Sequence, residues 1–207
     1  MLIGKSTKRE NKMKFSLTET IWGGRNANRK KKDTGTFPPK ITVRRLEGEP
    51  FNVLFLSKRG ISRAPMAREA MRHLVRQVNL QGAFRIKCRG IRPEYDSCPI
   101  DLRMREVSCN REYSLPAFSK LVKEKDLKEA NLILAMGIES VSFVKENKEK
   151  INGSTRPFEQ FLPAGSEPFL PDPFLQRTDD YETHYSKLIA SIEEGCQDLL
   201  DSIPFLS

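Results

Sequence analysis

Histidine is nearly absent: 207 residues hold only His73 and His184. Cysteine is almost as scarce, and Cys88, Cys98, Cys109 and Cys196 form no CxxC pair. A structural zinc site needs four nitrogen or sulfur ligands at short spacings, so that class is excluded and neither metal nor cofactor is expected. Four cysteines are also too sparse for a disulfide-built scaffold. They read as packed or surface thiols of a reducing compartment, which points to the cytoplasm. No window approaches the run of about 18 apolar residues that a bilayer span needs. The Walker pattern GxxxxGK[ST] is missing as well, and no internal repeat is visible.

Positive charge is present, and unevenly placed. Residues 1–49 carry 13 Lys and Arg against 5 Asp and Glu, a net of +8, whereas residues 50–207 carry 23 against 22, a net of +1. The chain therefore divides into a basic extension, 1–49, and a nearly neutral body, 50–207. The extension has the Lys30-Lys31-Lys32 run and Pro38-Pro39 but little apolar surface, so it is expected to be disordered. Such a tail is able to attract an acidic partner, nucleic acid or anionic lipid, or to serve as a solvated leader.

From residue 50 strand and helix signals alternate. Phe51 to Leu56 is a short apolar run of the kind buried on both faces of a sheet. A loop follows, and Ala64-Pro65 opens a helix whose Met66, Ala70, Leu74 and Val78 recur at helical spacing to about residue 79. Further strands are expected at 84–88, 132–136 and 158–162. Residues 99–129 read as mostly helical, 139–150 as a helix, and 179–201 as a last helix with Tyr185, Leu188, Ile192, Cys196 and Leu199 on one face. This alternation predicts a doubly wound α/β fold: a parallel four-stranded sheet with helices on both faces.

In such sheets ligands bind beyond the carboxyl ends of the strands, where the strand order reverses. The first strand there meets Ser57, Lys58, Arg59, Gly60, Ile61, Ser62 and Arg63, and then a helix. A loop entering a helix N-terminus offers successive amide donors and partial positive charge, which is an anion cradle. Arg63 closes it with a planar fork able to grip two oxygens of one phosphate, or to pair with a carboxylate at the helix start. Lys58 and Arg59 add positive field.

The run Val53 to Ala67, with Arg63-Ala64-Pro65-Met66-Ala67 at its end, resembles the opening of the low-molecular-weight protein tyrosine phosphatases, whose signature is Cys, five residues, Arg, then Ser-Pro-Met-Ala. Later segments resemble the family in order and spacing. Cys88-Arg89-Gly90 falls at its Ser-Ala-Gly, and Pro99 with Asp101-Leu102-Arg103 at its Pro-x-Asp-x-Arg. Leu132 to Gly137 resembles its Ile-x-Ala-Met-Asp strand, and Leu170-Pro171-Asp172-Pro173-Phe174 its Val-Pro-Asp-Pro-Tyr loop.

The resemblance implies a metal-free phosphatase site. Its nucleophile position is Ser57, its phosphate-gripping residue Arg63 and its general acid Asp172, with Tyr95 and Phe174 as walls for a phenyl ring. Yet Ser57 stands where the family has its reactive cysteine. Ser62 replaces a second loop cysteine, Gly60 an asparagine that braces the loop, and Ala64 a hydroxyl residue that supports the thiolate. A serine hydroxyl is far more basic than a thiol, and no histidine is near in sequence to act as its base. The expectation is an inactive relative that binds phosphate, phosphotyrosine or another oxyanion. Two alternatives stay open: an active phosphatase using Ser57 and Asp172 (or an arsenate reductase, disfavoured by Ser57 and Ser62), and a scaffold whose basic tail does the work.

Overall fold

The computed structural model describes residues 48–163, 170–174 and 180–203. Nearly all of the basic extension thus lies outside the described residues. Everything described belongs to one compact unit.

Four parallel strands form the sheet: β1 (Phe51–Ser57), β2 (Phe84–Gly90), β3 (Leu132–Met136) and β4 (Ser154–Pro157), in the order β2-β1-β3-β4. The two central strands are buried throughout, apart from Asn52. Their side chains alternate between two cores. Val53 and Phe55 of β1, with Leu132, Leu134 and Met136 of β3, face the larger one. Leu54 and Leu56, with Ile133 and Ala135, face the smaller one. This two-sided burial is why these strands read as continuous apolar runs.

The larger core is closed by α1 (Arg63–Gln77), α2 (Leu102–Cys109) and α5 (Tyr181–Ser202). On α1 the buried Met66, Ala70 and Met71 make the inward stripe; on α5 it is Tyr185, Leu188, Ile192, Cys196 and Leu199, as the periodicity indicates. The smaller core takes Leu127 from α3 (Glu124–Glu129) and Val144 from α4 (Ile138–Glu146). Among the described residues no helix is long and apolar enough to cross a membrane.

Two expectations need correction. Residues 99–129 are not mostly helical: only α2 and α3 are, and 110–123 run irregularly between them. Pro116 has no amide to continue a helix, and the segment spends its backbone bonds on the end of β2, with Gly90 donating to Lys120 O at 2.9 Å and Val122 donating to Gly90 O at 2.9 Å. The fourth strand is not 158–162 but Ser154–Pro157, and Phe158–Phe161 forms a single 3-10 turn. Pro157 ends the strand for want of a donor. Phe158 and Phe161, three residues apart, then lie on one face of the turn and fill the larger core, at 0% and 1% exposure.

Because β1 has β2 on one side and β3 on the other, the chain leaves β1 at the reversal point of the strand order. Ser57 is its last residue, paired in register with Gly90 and with Met136. The loop after it opens at the carboxyl end of the sheet.

Candidate active site

Residues 58–62 carry the chain from the end of β1 into α1. Gly60 takes φ +71°, a left-handed conformation that lets the loop turn back on itself. Its amide donates to Ser57 Oγ at 3.2 Å, across the inside of the turn. Ile91 and Arg92 donate to the carbonyls of Ser57 and Lys58, and Asp101 donates to Ile61 O at 3.0 Å, so the outward carbonyls are taken by neighbouring segments. Among the described residues the amides of Arg59, Ile61, Ser62 and Arg63 meet no protein acceptor. Ser62 precedes α1 without capping it by its side chain, which leaves the first turn's amides open. Its buried hydroxyl has no partner among the described residues.

Arg63 is held rather than free. It is 6% exposed, and its NH1 donates to the carbonyl of Leu170 at 3.0 Å while NH2 lies 3.6 Å from Asp172 Oδ2. Burial pushes the guanidinium below its usual value, and Asp172, Glu159 and Glu139 oppose that shift. Gly137 makes room for the fork: a Cβ on it would stand 3.1 Å from NH1, and at φ +93° a side chain is strained there anyway. The Gly137 amide instead donates to Glu159 Oε1 at 2.9 Å. Burial raises the Glu159 carboxyl above its ordinary value.

Asp172 reaches the loop from the segment 170–174. One oxygen accepts from Arg59 NH1 at 3.3 Å and from the Phe174 amide at 3.0 Å, and the other faces Arg63. It thus closes a local turn before Pro173 and spans two guanidinium groups. Ser57, Arg59 to Arg63 and Asp172 to Phe174 line one small cavity. With Asp172 in place its free space is about 10 Å³, room for about one water. Lys58 turns away from it to Glu139, at 2.7 Å, and that bond holds Glu139 below the usual carboxylate range.

The structure therefore brings Ser57, Arg63 and Asp172 together with residues 59–62, while Lys58, expected to line the phosphate loop, faces Glu139 instead. The sequence profile of the low molecular weight phosphotyrosine protein phosphatases matches residues 52–204, three quarters of the chain and all four strands apart from Phe51.

The chain belongs to this family.

Solved structures superpose on it. A protein tyrosine phosphatase of Entamoeba histolytica is 21% identical over 73% of this chain and 95% of its own, with a TM-score of 0.64. YfkJ of Bacillus subtilis is 24% identical over 75% and 96%, at 0.66. A Drosophila arginine phosphatase is 18% identical over 72% and 95%, at 0.63. At these identities the likeness is one of fold. The comparison with curated proteins gives no significant match.

Within this phosphatase fold the two histidines stand elsewhere. His73, on α1, bonds Gln77 and packs edge-on against Tyr113, and His184 packs against Tyr185; neither lines the cavity. Ser57 Oγ has the Gly60 amide as its neighbour, and among the described residues no imidazole or carboxylate is bonded to it. All four cysteines are free, and Cys88 and Cys196 are buried. Tyr95 and Phe174 both flank the site, with the Arg59 guanidinium carbon 5.5 Å from one ring centroid and 4.5 Å from the other. Sequence reasoning missed Glu139 and Glu159. Both follow β3 and β4 by a few residues, which the carboxyl-end rule marks only once the strand order and the true end of β4 are known.

Proposed function

We propose that this phosphatase-family protein binds phosphate-class oxyanions at residues 57–63 without turning them over. The observation that carries the reading is a division within the site. The parts that would hold an anion are assembled: unclaimed loop amides, a buried Arg63 and an uncapped helix start. The part that would react is not, because Ser57 Oγ accepts a bond from Gly60 and, among the described residues, is bonded to no base. A hydroxyl with no general base beside it is a poor nucleophile near neutral pH. In this reading Ser57 is a lining group and Arg63 the clamp. Lys58 contributes little, since its charge is paired with Glu139 and it does not line the cavity. The four free thiols support a reducing compartment and hence a cytoplasmic setting.

Asp172 favours one competing reading. It lines the same cavity as Ser57, which is where a general acid for an aryl phosphate belongs, so slow hydrolysis through Ser57 is the alternative.

One experiment separates them. Purified protein is incubated with an aryl phosphate, and its melting midpoint is followed with phosphate, vanadate or tungstate. We expect no turnover above buffer and a raised midpoint, since a ligand at a hundredfold excess over its Kd adds about 2.7 kcal/mol to the native state. Arg63→Ala should abolish the shift, with Arg63→Lys as a milder variant that keeps charge without the fork. Turnover that disappears in Ser57→Ala would establish the alternative, and the absence of any oxyanion-dependent shift would refute the binding reading.

A further inference from the structure

We propose that Arg59 sets the ligand class of this site: its guanidinium takes the place a phenyl ring would need against Tyr95 and Phe174, and turns the rim toward compact, non-aromatic ligands with a second oxyanion group. The inference rests on residues 57–63 being an oxyanion loop.

Phe174 and Tyr95 are the two rings at the mouth, and both are already engaged by the same cation. Arg59 is fixed in that position. Its NH1 bonds Asp172 at 3.3 Å, and its side chain is only 20% exposed. A second guanidinium reinforces the arrangement: the Arg103 carbon lies 5.5 Å from the Phe174 centroid and 5.3 Å from that of Tyr185. Phe174 therefore meets two cations, and a phenyl group entering its face must displace Arg59 both from that ring and from a carboxylate.

What Arg59 removes from aromatic ligands it offers to anionic ones. A guanidinium presents its donors in a planar fork that matches phosphate and carboxylate oxygens. Arg59 lies on the same loop as Arg63, two residues after Ser57, and both line the same cavity. A ligand whose first oxyanion sits on the loop amides and Arg63 therefore presents its next group to Arg59, with Arg103 beyond. A diphosphate, or a phosphate ester with a neighbouring carboxylate or phosphate, has that chemistry. A phosphorylated phenol does not.

The test compares dissociation constants for inorganic phosphate, pyrophosphate and phenyl phosphate by calorimetry on the full chain, on Arg59→Ala and on Arg76→Ala. The last removes an equal charge from the exposed end of α1. Wild type should bind pyrophosphate about tenfold more tightly than phosphate, and phenyl phosphate no more tightly than phosphate. Arg59→Ala should bring phosphate and pyrophosphate close to equal and tighten phenyl phosphate about tenfold. Arg76→Ala should leave both ratios alone. Arg59→Gln replaces the alanine variant where circular dichroism shows the latter unfolded. If wild type prefers phenyl phosphate, or if the pyrophosphate preference survives in the Arg59 variants, the proposal falls while the oxyanion reading stands. If folded wild type binds none of the three, nor tungstate, both fall.

Discussion

Gly60 governs how close the oxyanion loop comes to the sheet. A Cβ there would lie 2.4 Å from the amide nitrogen and 2.6 Å from the Cα of Gly90, backbone that has nowhere to retreat because Gly90 is bonded to Lys120 and Val122. With φ at +71° as well, Gly60→Ala is expected to cost about 1–3 kcal/mol in urea denaturation and to remove the oxyanion-dependent shift. An unchanged midpoint would mean that the loop and β2 part easily. At this scale the sequence was most informative where spacing was short. Ser57 to Arg63 are contiguous, and Asp172 sits in a recognisable loop, so these residues could be named in advance. Glu139 and Glu159 could not, because their closeness to Lys58 and Gly137 exists only after β3 and β4 have been laid beside β1.

Among the described elements α3 is the shortest α-helix, and two carboxylates tie it to the sheet: Glu129, which takes Lys87 Nζ at 3.1 Å, and the more heavily bonded Asp126. Asp126 accepts from Arg89 Nε at 2.8 Å, from Arg89 NH2 at 3.1 Å and from Lys87 Nζ at 3.2 Å, and also takes the Lys123 amide at the start of its own helix. Burial alone would raise this carboxyl, but the bonds from Arg89, Lys123 and Lys87 overcome it and hold the group below its ordinary value. A depressed carboxyl contributes stability that is present above its unfolded pKa and lost as pH falls through the folded one. Asp126→Asn should therefore cost about 1–3 kcal/mol at neutral pH, and the gap to wild type should narrow as the medium becomes acid. A gap of constant size across that range would show that charge is not what matters at this joint. The boundary of β4 was illegible for a related reason. Ser154 to Pro157 has no apolar alternation, being an edge strand half-buried along its length, so the eye falls on Phe158 to Leu162 instead. The phenylalanines there belong to a core that the preceding strand only borders.

Taken whole, the molecule depends on one sheet covered on both sides. Leu134 and Ile133 are neighbours in β3, both fully buried, and point into opposite cores. Replacing either by alanine is expected to lower the free energy of unfolding by about 2–5 kcal/mol while leaving one cooperative transition, since the same strands serve both layers. Two separated transitions in either variant would show that the layers melt apart. The fold class was readable because this arrangement imprints itself on sequence as apolar strands alternating with amphipathic helices. Residues 110–123 were not, because their course is set by backbone bonds to β2 that leave no periodic trace.

The hold of Asp172 on both arginines has a consequence for how any visitor is received. That carboxylate is a resident counter-ion, so entry is an exchange of one anion for another rather than the filling of a bare positive hole. Measured affinity is then the margin by which the newcomer outbids the incumbent, and added salt, which weakens the grip on both, should erode that margin less than it would in an open basic cleft.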